Sequence, residues 1–437
     1  MSKKKIAAIT LGCKVNQVET ASLLEAFSAR GYQIVNFKEK ADIYLVNTCA
    51  VTAKAAYESR QLLRRVTKKA PLLLIATGCY AQIGAEEIKE KIKAPLLIVG
   101  QEFKPHIPQI VEKLSLPLQE TRVLLSEVRR LTHCEPYPLH RFLGHQRAFL
   151  RVQDGCSLYC TYCVVPFARG PSRSLPLPLI KEQVERYLAQ GYQEIVITGV
   201  HLGLWGQDLK PPQRLLDLLF LLEELKVPRF RLSSLEPREI DRETLAFLQA
   251  ARGFCPHFHL SLQSASNEVL RKMGRRYRRE DFISVVETIG KHFPEAAIGV
   301  DVIAGFPAET ESAFEETYRL LEELPLAYFH VFPYSPRPGT RAATWPQLPP
   351  HLVAERAQRL RTLSRAKKKA FYARQIGKTL ELLVLRKDPQ TSLWEGLSRN
   401  YVTVFFESSL DLLGKLVLVG VERMVDTILY GSLHTAE

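Results

Sequence analysis

The sequence predicts an α/β protein in three parts. These are an N-terminal parallel α/β sheet, a central partial (β/α)6 barrel and a small C-terminal β-barrel. Three observations predict it. Strand-length apolar runs alternate with helical segments over the first hundred residues. From Ala148 the chain repeats strand–helix units six times. Beyond Lys378 it turns to short strands punctuated by glycine. A length of 437 residues allows three domains, at roughly 150 residues each. Their expected extents are 1–137, 142–372 and 376–437.

Composition narrows the function classes. A hydrophobic content of 46% with 24% charged residues is ordinary for a globular chain. No apolar run approaches the roughly 18 residues of a membrane span, so no membrane association is expected. The basic-then-apolar start, Met1 to Cys13, continues as a strand pattern rather than as a signal peptide. Eight cysteines, six of them clustered, suit metal binding in a reducing cytoplasm better than disulfides. A net charge of +14 favours a polyanionic partner, and nucleic acid leads.

In the first part, Ile6–Leu11 reads as a buried strand followed by Gly12-Cys13, and Val18–Arg30 as an amphipathic helix ending at Gly31. Ile43–Asn47 is a second strand, followed by Thr48-Cys49. Ala53–Lys69 is a helix, strongly basic on one side. Leu72–Ala76 precedes Gly78-Cys79, and Pro95–Val99 closes the series. Cys13, Cys49 and Cys79 therefore each follow a strand. In a parallel sheet those strand ends share one edge, where open α/β folds bind ligands. The three can converge as a metal site although 36 and 30 residues separate them.

Five prolines, at 105, 108, 117, 136 and 138, mark a transition over 101–145. The expected barrel strands are 148–153, 194–198, 229–235, 258–263, 297–303 and 328–334, with helices such as 178–190 and 310–323 between them. Asp154-Gly-Cys-Ser-Leu-Tyr-Cys-Thr-Tyr-Cys163 follows the first strand and holds a C-x3-C-x2-C pattern. Three close thiolates can bind three corners of a cubane iron–sulfur cluster. No fourth cysteine is near, so one iron would be open to a small molecule. The same three could instead hold zinc with a fourth ligand from elsewhere. His259, Ser261 and Gln263 share one strand face, as do Arg231 and Ser233. Polar lumen faces of this kind predict a ligand cavity, since a filled barrel carries branched apolar residues inside. Cys134 and Cys255 read as structural.

Residues 354–378 carry nine Lys or Arg against one acidic residue, and Arg271–Arg279 carries six in nine. Both runs are read as phosphate-backbone contacts, with Lys367, Lys368 and Lys369 at the centre of the first. Strands are expected at 379–386, 401–406, 416–422 and 427–430. Gly396, Gly414 and Gly431 are read as the turns between them.

The cluster loop resembles the signature of radical S-adenosylmethionine (SAM) enzymes, with Tyr162 before the third cysteine. The texts Leu11-Gly-Cys-Lys-Val-Asn-Gln17 with Glu19, Asn47-Thr-Cys49, Thr77-Gly-Cys-Tyr80 and Val165-Pro-Phe-Ala-Arg-Gly170 resemble the methylthiotransferase branch. The C-terminal strands resemble a TRAM domain, an RNA-binding module, although residues 376–437 hold six basic and eight acidic residues. The resemblance implies two 4Fe–4S clusters. One, on Cys156, Cys160 and Cys163, binds SAM and releases a 5′-deoxyadenosyl radical. The other, on Cys13, Cys49 and Cys79, carries the sulfur to be inserted. It further implies that SAM is both radical source and methyl donor. SAM contacts are implied at Tyr162, at Thr198-Gly199, at Gly305 and, on the lumen faces, at Ser233, Glu236 and Gln263. Two departures stand out: Ala308 where a second glycine is common, and Leu175 where related enzymes carry arginine.

The form Gly-Cys-Lys-Val-Asn-Gln resembles most the branch that methylthiolates threonylcarbamoyladenosine beside the tRNA anticodon. That substrate carries a carboxylate, and Arg173 and Arg337 are the candidate cations for it. A flavodoxin- or ferredoxin-like electron donor and a sulfur source of unknown identity are implied as partners. The isopentenyladenosine branch, an aspartate of ribosomal protein S12 as substrate, and a non-catalytic iron–sulfur or zinc RNA-binding protein are the alternatives.

Overall fold

The computed structural model describes residues 3–142 and 144–434. The outermost residues of the first and last expected domains, 1–2 and 435–437, lie outside the described residues. No helix among the described residues is long and apolar enough to cross a membrane.

Six parallel strands form the first sheet, in the order β2-β1-β3-β4-β5-β6. They are β1 Lys5–Thr10, β2 Gln33–Ile34, β3 Ile43–Thr48, β4 Leu73–Gly78, β5 Leu97–Val99 and β6 Arg122–Leu124. The expected strands are central and apolar: β3 and β4 are buried along their whole length, as a sheet covered on both faces requires. The two edge strands, β2 and β6, were not expected. They are two and three residues long and partly exposed, so they carry no run of hydrophobics to announce them. Helix α1 (Lys14–Ala29) begins directly after Cys13, and α2 (Ala53–Thr67) begins four residues after Cys49.

The second body has six parallel strands: β7 Ala148–Arg151, β10 Glu194–Thr198, β11 Arg229–Leu232, β12 His257–Gln263, β13 Ala297–Ala304 and β14 Tyr328–Pro333. They pair as β11-β10-β7 and β12-β13-β14. Isolated parallel bridges, Phe230–Phe254 and Leu235–Leu260, join the two halves into one open barrel. A short antiparallel pair, β8 (Gln153–Asp154) and β9 (Arg173–Ser174), flanks the cysteine loop. Along β12, Phe258, Leu260 and Leu262 are buried while His259, Ser261 and Gln263 are only partly so, matching the alternation in the sequence.

The C-terminal strands β15 Thr379–Lys387, β16 Trp394–Ser398, β17 Thr403–Glu407, β18 Leu416–Val425 and β19 Ile428–Leu433 close into a barrel in the order β15-β16-β17-β19-β18. Strand β16 was not expected, because Gly396 was read as a turn. Gly396 and Gly431 lie inside strands instead. A Cβ on Gly396 would sit 2.8 Å from the Leu382 side chain, and one on Gly431 2.1 Å from the Gly420 carbonyl. Glycine marks close approach in this barrel, not a bend. Gly414, at φ +76°, is a true turn.

This small barrel seals the N-terminal end of the large one. Arg229 Nη2 donates to the Leu397 carbonyl at 3.0 Å, and Arg231 donates to the carbonyls of Ser398 (2.6 Å) and Arg399 (2.7 Å). Both arginines also pair with buried Glu194. Tyr401, held at φ +67°, stacks on His257 with ring centroids 4.1 Å apart. Above it a polar column fills the lumen. His257 and His259 flank the Tyr328 hydroxyl, and His259 and His330 bracket Asp301 at 2.8 and 3.3 Å. A cavity opens at the C-terminal strand ends, lined by Gln263, Ile303 and Pro333.

Candidate active site

Cys13, Cys49 and Cys79 follow β1, β3 and β4, which are consecutive neighbours in the sheet. The parallel register brings their C-terminal ends to one edge. Glycine permits this approach at two of the three. A Cβ on Gly12, at φ +95°, would lie 2.9 Å from Cys49 Sγ. On Gly78, at φ +96°, it would lie 2.4 Å from both Asn47 Oδ1 and the Thr48 carbonyl. Asn16 donates to the carbonyls of Leu11 (2.7 Å) and Thr48 (3.2 Å), and Asn47 donates back to Asn16 O and Thr20 Oγ1. The asparagines of the first two motifs therefore stitch the cysteine loops together. Burial pushes the Cys49 thiol up to about 11 and raises Cys79 as well.

Cys156, Cys160 and Cys163 lie on the loop after β8. Gly155, at φ +71°, is obligatory: a Cβ there would meet the Pro171 carbonyl at 1.9 Å. The loop is clamped by Cys156 N–H to the Gly170 carbonyl (3.0 Å) and Thr161 N–H to the Met273 carbonyl (2.9 Å). Burial pushes the Cys163 thiol up to about 12. His201 Nδ1 lies 3.6 Å from Cys156 Sγ, and its Nε2 meets the Glu239 carboxylate. Burial works against the charged imidazole, but the bonds to Cys156 and Glu239 outweigh it and lift its pKa to about 10. Arg275 Nη1 donates to Cys160 Sγ at 3.4 Å while Nη2 pairs with Glu236 at 2.8 Å.

A buried charged network lies between the two triads. Arg169 is 1% exposed. It donates from Nε to Cys79 Sγ (3.2 Å) and from Nη1 to Glu19 (2.9 Å) and Asp154 (2.6 Å), while Nη2 reaches Asn16. Lys104 pairs with Glu19 at 2.6 Å, and Arg151 and Arg173 pair with Asp154 at 3.0 and 3.2 Å. Burial raises the Glu19 pKa, but Arg169, Lys104 and Arg151 outweigh it and hold the carboxyl near about 2. Four cations thus face two carboxylates in a buried space. An uncompensated buried charge is costly. The surplus is balanced if the neighbouring sulfurs are thiolates on anionic clusters, so the donor sets fit such groups. Among the described residues, the His, Cys, Asp and Glu groups with three ligand atoms within 4.8 Å of one another are His259–Asp301–His330 and His201–Glu236–Glu239. Neither cysteine triad is so tightly drawn, which suits polynuclear clusters rather than one ion.

Between the triads opens a cavity of about 220 Å³, lined by Val51 and Thr52 from the Cys49 loop, Tyr162 from the other loop, and Gln263, Asp301 and Tyr334 among others. Gln263 sits at φ +64° where β12 is irregular, which aims it out of the strand. The Ser233 hydroxyl is buried without a partner, an orphaned polar atom on the lumen side. Thr198 ends β10, and a Cβ on Gly199 would lie 2.9 Å from Gln153 Oε1. Glu236 is tied to Arg275. The Gly305 N–H is taken by Glu309 Oε2 at 2.8 Å, and its open side faces Val353. Its contribution is therefore the bend after β13, at φ +78°, and not a free amide for SAM.

The structure corrects several expectations. Arg173 is 3% exposed. Its donors go to Asp154 and the carbonyls of His133, Arg169 and Pro171, so it is no free cation for a substrate. Arg337 is the contrary case. It is 7% exposed, Nε is buried without a partner, and it has no ion pair among the described residues. Burial lowers its pKa, with Tyr80, Glu87, Arg60 and Cys49 close enough to act on it. The basic helix Pro350–Ala373 turns part of its charge inward, while Arg365 and Lys369 stay exposed. Arg356 pairs with Glu309 and Glu311, Arg359 pairs with Glu315, and Lys367 donates to the carbonyls of Leu324 (2.8 Å) and Glu322 at the end of helix Glu311–Glu323. Lys367 is therefore a helix cap and not a phosphate ligand. Lys368 packs over Tyr372 at 5.0 Å, which leaves Lys369 as the exposed member of the three. In the second run, Arg275 points to Cys160 rather than to solvent. Sequence reasoning missed His201, Arg169 and Arg275. The last two stood inside noted stretches, but only the fold shows which sulfur each reaches.

Comparison with known proteins agrees with this geometry. Residues 5–100 match the uncharacterized protein family UPF0004, and residues 150–321 match the radical SAM superfamily. The threonylcarbamoyladenosine tRNA methylthiotransferase MtaB of Aquifex aeolicus is 38% identical over 95% of this chain and 99% of that protein. Its namesake from Bacillus subtilis is 34% identical over 95% and 93%. The tRNA-2-methylthio-N(6)-dimethylallyladenosine synthase of Erythrobacter litoralis is 31% identical over 99% and 98%. Among solved structures, the radical SAM methyltransferase TsrM from Kitasatospora setae matches with a TM-score of 0.55 at 15% identity, covering 78% of this chain and 75% of that one. That likeness concerns the fold. With its two cysteine triads, its matches to both families and these full-length relatives, the chain belongs to the radical SAM tRNA methylthiotransferases.

Proposed function

We propose that this protein converts N6-threonylcarbamoyladenosine, beside the anticodon of tRNA, to its 2-methylthio derivative. Cys156, Cys160 and Cys163 would hold the 4Fe–4S cluster that binds SAM, and Cys13, Cys49 and Cys79 the second. When bound, these groups and SAM supply one-electron chemistry, a carbon-centred radical, sulfur and a methyl group at C2 of the base. A reductant of the flavodoxin or ferredoxin class and a sulfur source complete the reaction, which is placed in the cytoplasm.

The chain's own residues position and shield. Tyr162 and Tyr334 wall the cavity with aromatic surface. Gln263 offers a polar side chain to it, and the Ser233 hydroxyl is buried without a partner just past β11. His201 and Arg275 hold N–H donors against Cys156 and Cys160. Lys369, Thr198 and Gly199 remain candidates for RNA and SAM contact.

The observation that carries the substrate is Arg337. Glu87 acts on Arg337 only from beyond ion-pair distance and is itself taken by Arg60 and Lys91. A buried guanidinium without a paired anion is costly, and a carboxylate ligand would complete it with paired hydrogen bonds. Arg337 follows cavity-lining Tyr334 and Ser335 in sequence. Ile303 and Phe332 on the same wall would suit an apolar prenyl tail, which keeps the isopentenyl substrate as the second reading.

Anticodon stem-loops bearing each modification separate the two. Wild type should methylthiolate the threonylcarbamoyl substrate. Arg337→Gln should lower kcat/KM on it by about 30-fold or more, the loss of a desolvated charge pair, while SAM cleavage without RNA is unchanged. Activity on only the isopentenyl stem-loop would refute the assignment.

A further inference from the structure

Part of the basic charge first assigned to RNA is engaged within the fold, as at Arg356, Arg359, Lys367 and Arg275, whereas Arg271, Arg276, Arg278, Arg365 and Lys369 are exposed. The charge of +14 is thus spread over several faces. Helix α2 carries an unengaged share of it. Its inner face, Ala56, Ser59, Leu62, Leu63 and Val66, is buried against the first sheet. Its outer face reads Lys54, Tyr57, Gln61 and Arg64 at spacings of three and four, with Arg65 beside Arg64 and Lys68 at the C-cap. Arg64, Arg65 and Lys68 are exposed, and Lys54 is 84% exposed with only a 3.9 Å contact to Glu58. Tyr57 is 54% exposed, which leaves an aromatic ring in water among cations.

Its place in the fold gives this face a meaning. Val51 and Thr52 line the cavity between the triads, and Thr52 is the N-cap of α2, accepting from Ala55 N–H at 3.0 Å. Ala53 N–H donates to Ser335 Oγ on the opposite wall at 2.8 Å. The helix thus starts at the cavity mouth and runs away from it for 15 residues, about 22 Å at 1.5 Å per residue. A base that enters the cavity must leave its stack, and its flanking nucleotides then lie at the mouth. Tyr57 stands about one turn beyond Thr52, where such a nucleotide would need a new stacking partner. The cations follow further along, where the backbone leading to the stem would run.

We propose that the outer face of α2 is the docking surface for the anticodon arm. Tyr57 stacks on a nucleotide flanking the modified adenosine, and Arg64, Arg65 and Lys68 contact stem phosphates. The proposal rests on the tRNA reading above and deepens it.

The test uses the full chain with reconstituted clusters and an anticodon stem-loop carrying threonylcarbamoyladenosine. Dissociation constants are measured between about 50 and 200 mM salt. Binding by wild type is the control, and its failure would sink the tRNA reading itself. For the triple variant Arg64→Gln, Arg65→Gln, Lys68→Gln, affinity should fall at least tenfold. The log–log salt slope should become shallower by about two to three, as expected for three lost phosphate contacts. Tyr57→Leu should lose about tenfold in affinity, the size of one base–aromatic stack, with the slope unchanged. All variants should keep the circular dichroism of wild type and its SAM cleavage without RNA. Unchanged affinity and slope in the triple variant overturn the proposal. So does a variant that binds RNA normally but is reduced more slowly by flavodoxin, which would assign the face to an acidic electron carrier.

Discussion

Alanine at Cys156, Cys160 and Cys163 is expected to halve the iron of the reconstituted protein, from about eight per chain to about four, and to abolish SAM cleavage. Alanine at Cys13, Cys49 and Cys79 should also halve the iron but leave SAM cleavage in place. The asymmetry follows from position. The two triads sit on different sheets, each loop fixed by its own glycines and backbone bonds, so either set can be lost without unmaking the other. Iron and SAM-cleavage assays on both triple variants check this. Iron unchanged in either variant would sink the assignment of that triad.

Arg169→Gln should be the most damaging single change outside the cysteines. It takes one cation from each of Glu19 and Asp154, leaving Lys104 on the first and Arg151 and Arg173 on the second, and removes the N–H donor to Cys79. Breaking a buried ion pair costs about 3–5 kcal/mol when the partner is left uncompensated; here each carboxylate keeps a cation, so the cost lies below that range. A fall in melting temperature is expected even without metal, from the lost bonds to Asn16, Glu19 and Asp154. Lysine should not rescue it, because one ammonium cannot span Cys79, Asn16, Glu19 and Asp154 as the planar guanidinium does. In the reconstituted variant the iron bound by Cys13, Cys49 and Cys79 should be depleted before that of the other triad. Its electron paramagnetic resonance signal should shift. The same network sets an acid limit. With the Glu19 carboxyl held near about 2 against an ordinary 4.5, its contribution is complete above about pH 4.5 and fades as pH falls toward 2. A variant that melts like wild type and keeps full iron and an unshifted signal would show that Arg169 is dispensable.

The central strands and the placement of six cysteines were legible in the sequence because they depend on local pattern. A run such as Ile43-Tyr-Leu-Val-Asn-Thr48 announces a buried strand, and a cysteine one residue later inherits its position. Edge strands β2 and β6 and strand β16 were not legible. The first two are too short to show a period. In the third, glycine served packing where it was read as punctuation. The basic runs misled for a different reason. Charge along a helix is visible in sequence, but its partner is not: Arg356 meets Glu309 from 47 residues away, and Lys367 caps a helix that ends about 40 residues earlier. Arg169 meets Glu19 across 150 residues. Contacts of that span are set by how sheet and barrel pack, which no local pattern encodes.

The stacked Tyr401 and His257 close one end of the central barrel. That end is stoppered by Arg229, Arg231 and His257, which are 0%, 1% and 6% exposed. With that end closed, the cavity lined by Val51, Thr52, Tyr162 and Tyr334 is reached from the side of the triads. If SAM and the RNA of the proposed function share that side, the small molecule is seated first and its fragments leave after the RNA, an order imposed from the end of the barrel opposite the chemistry.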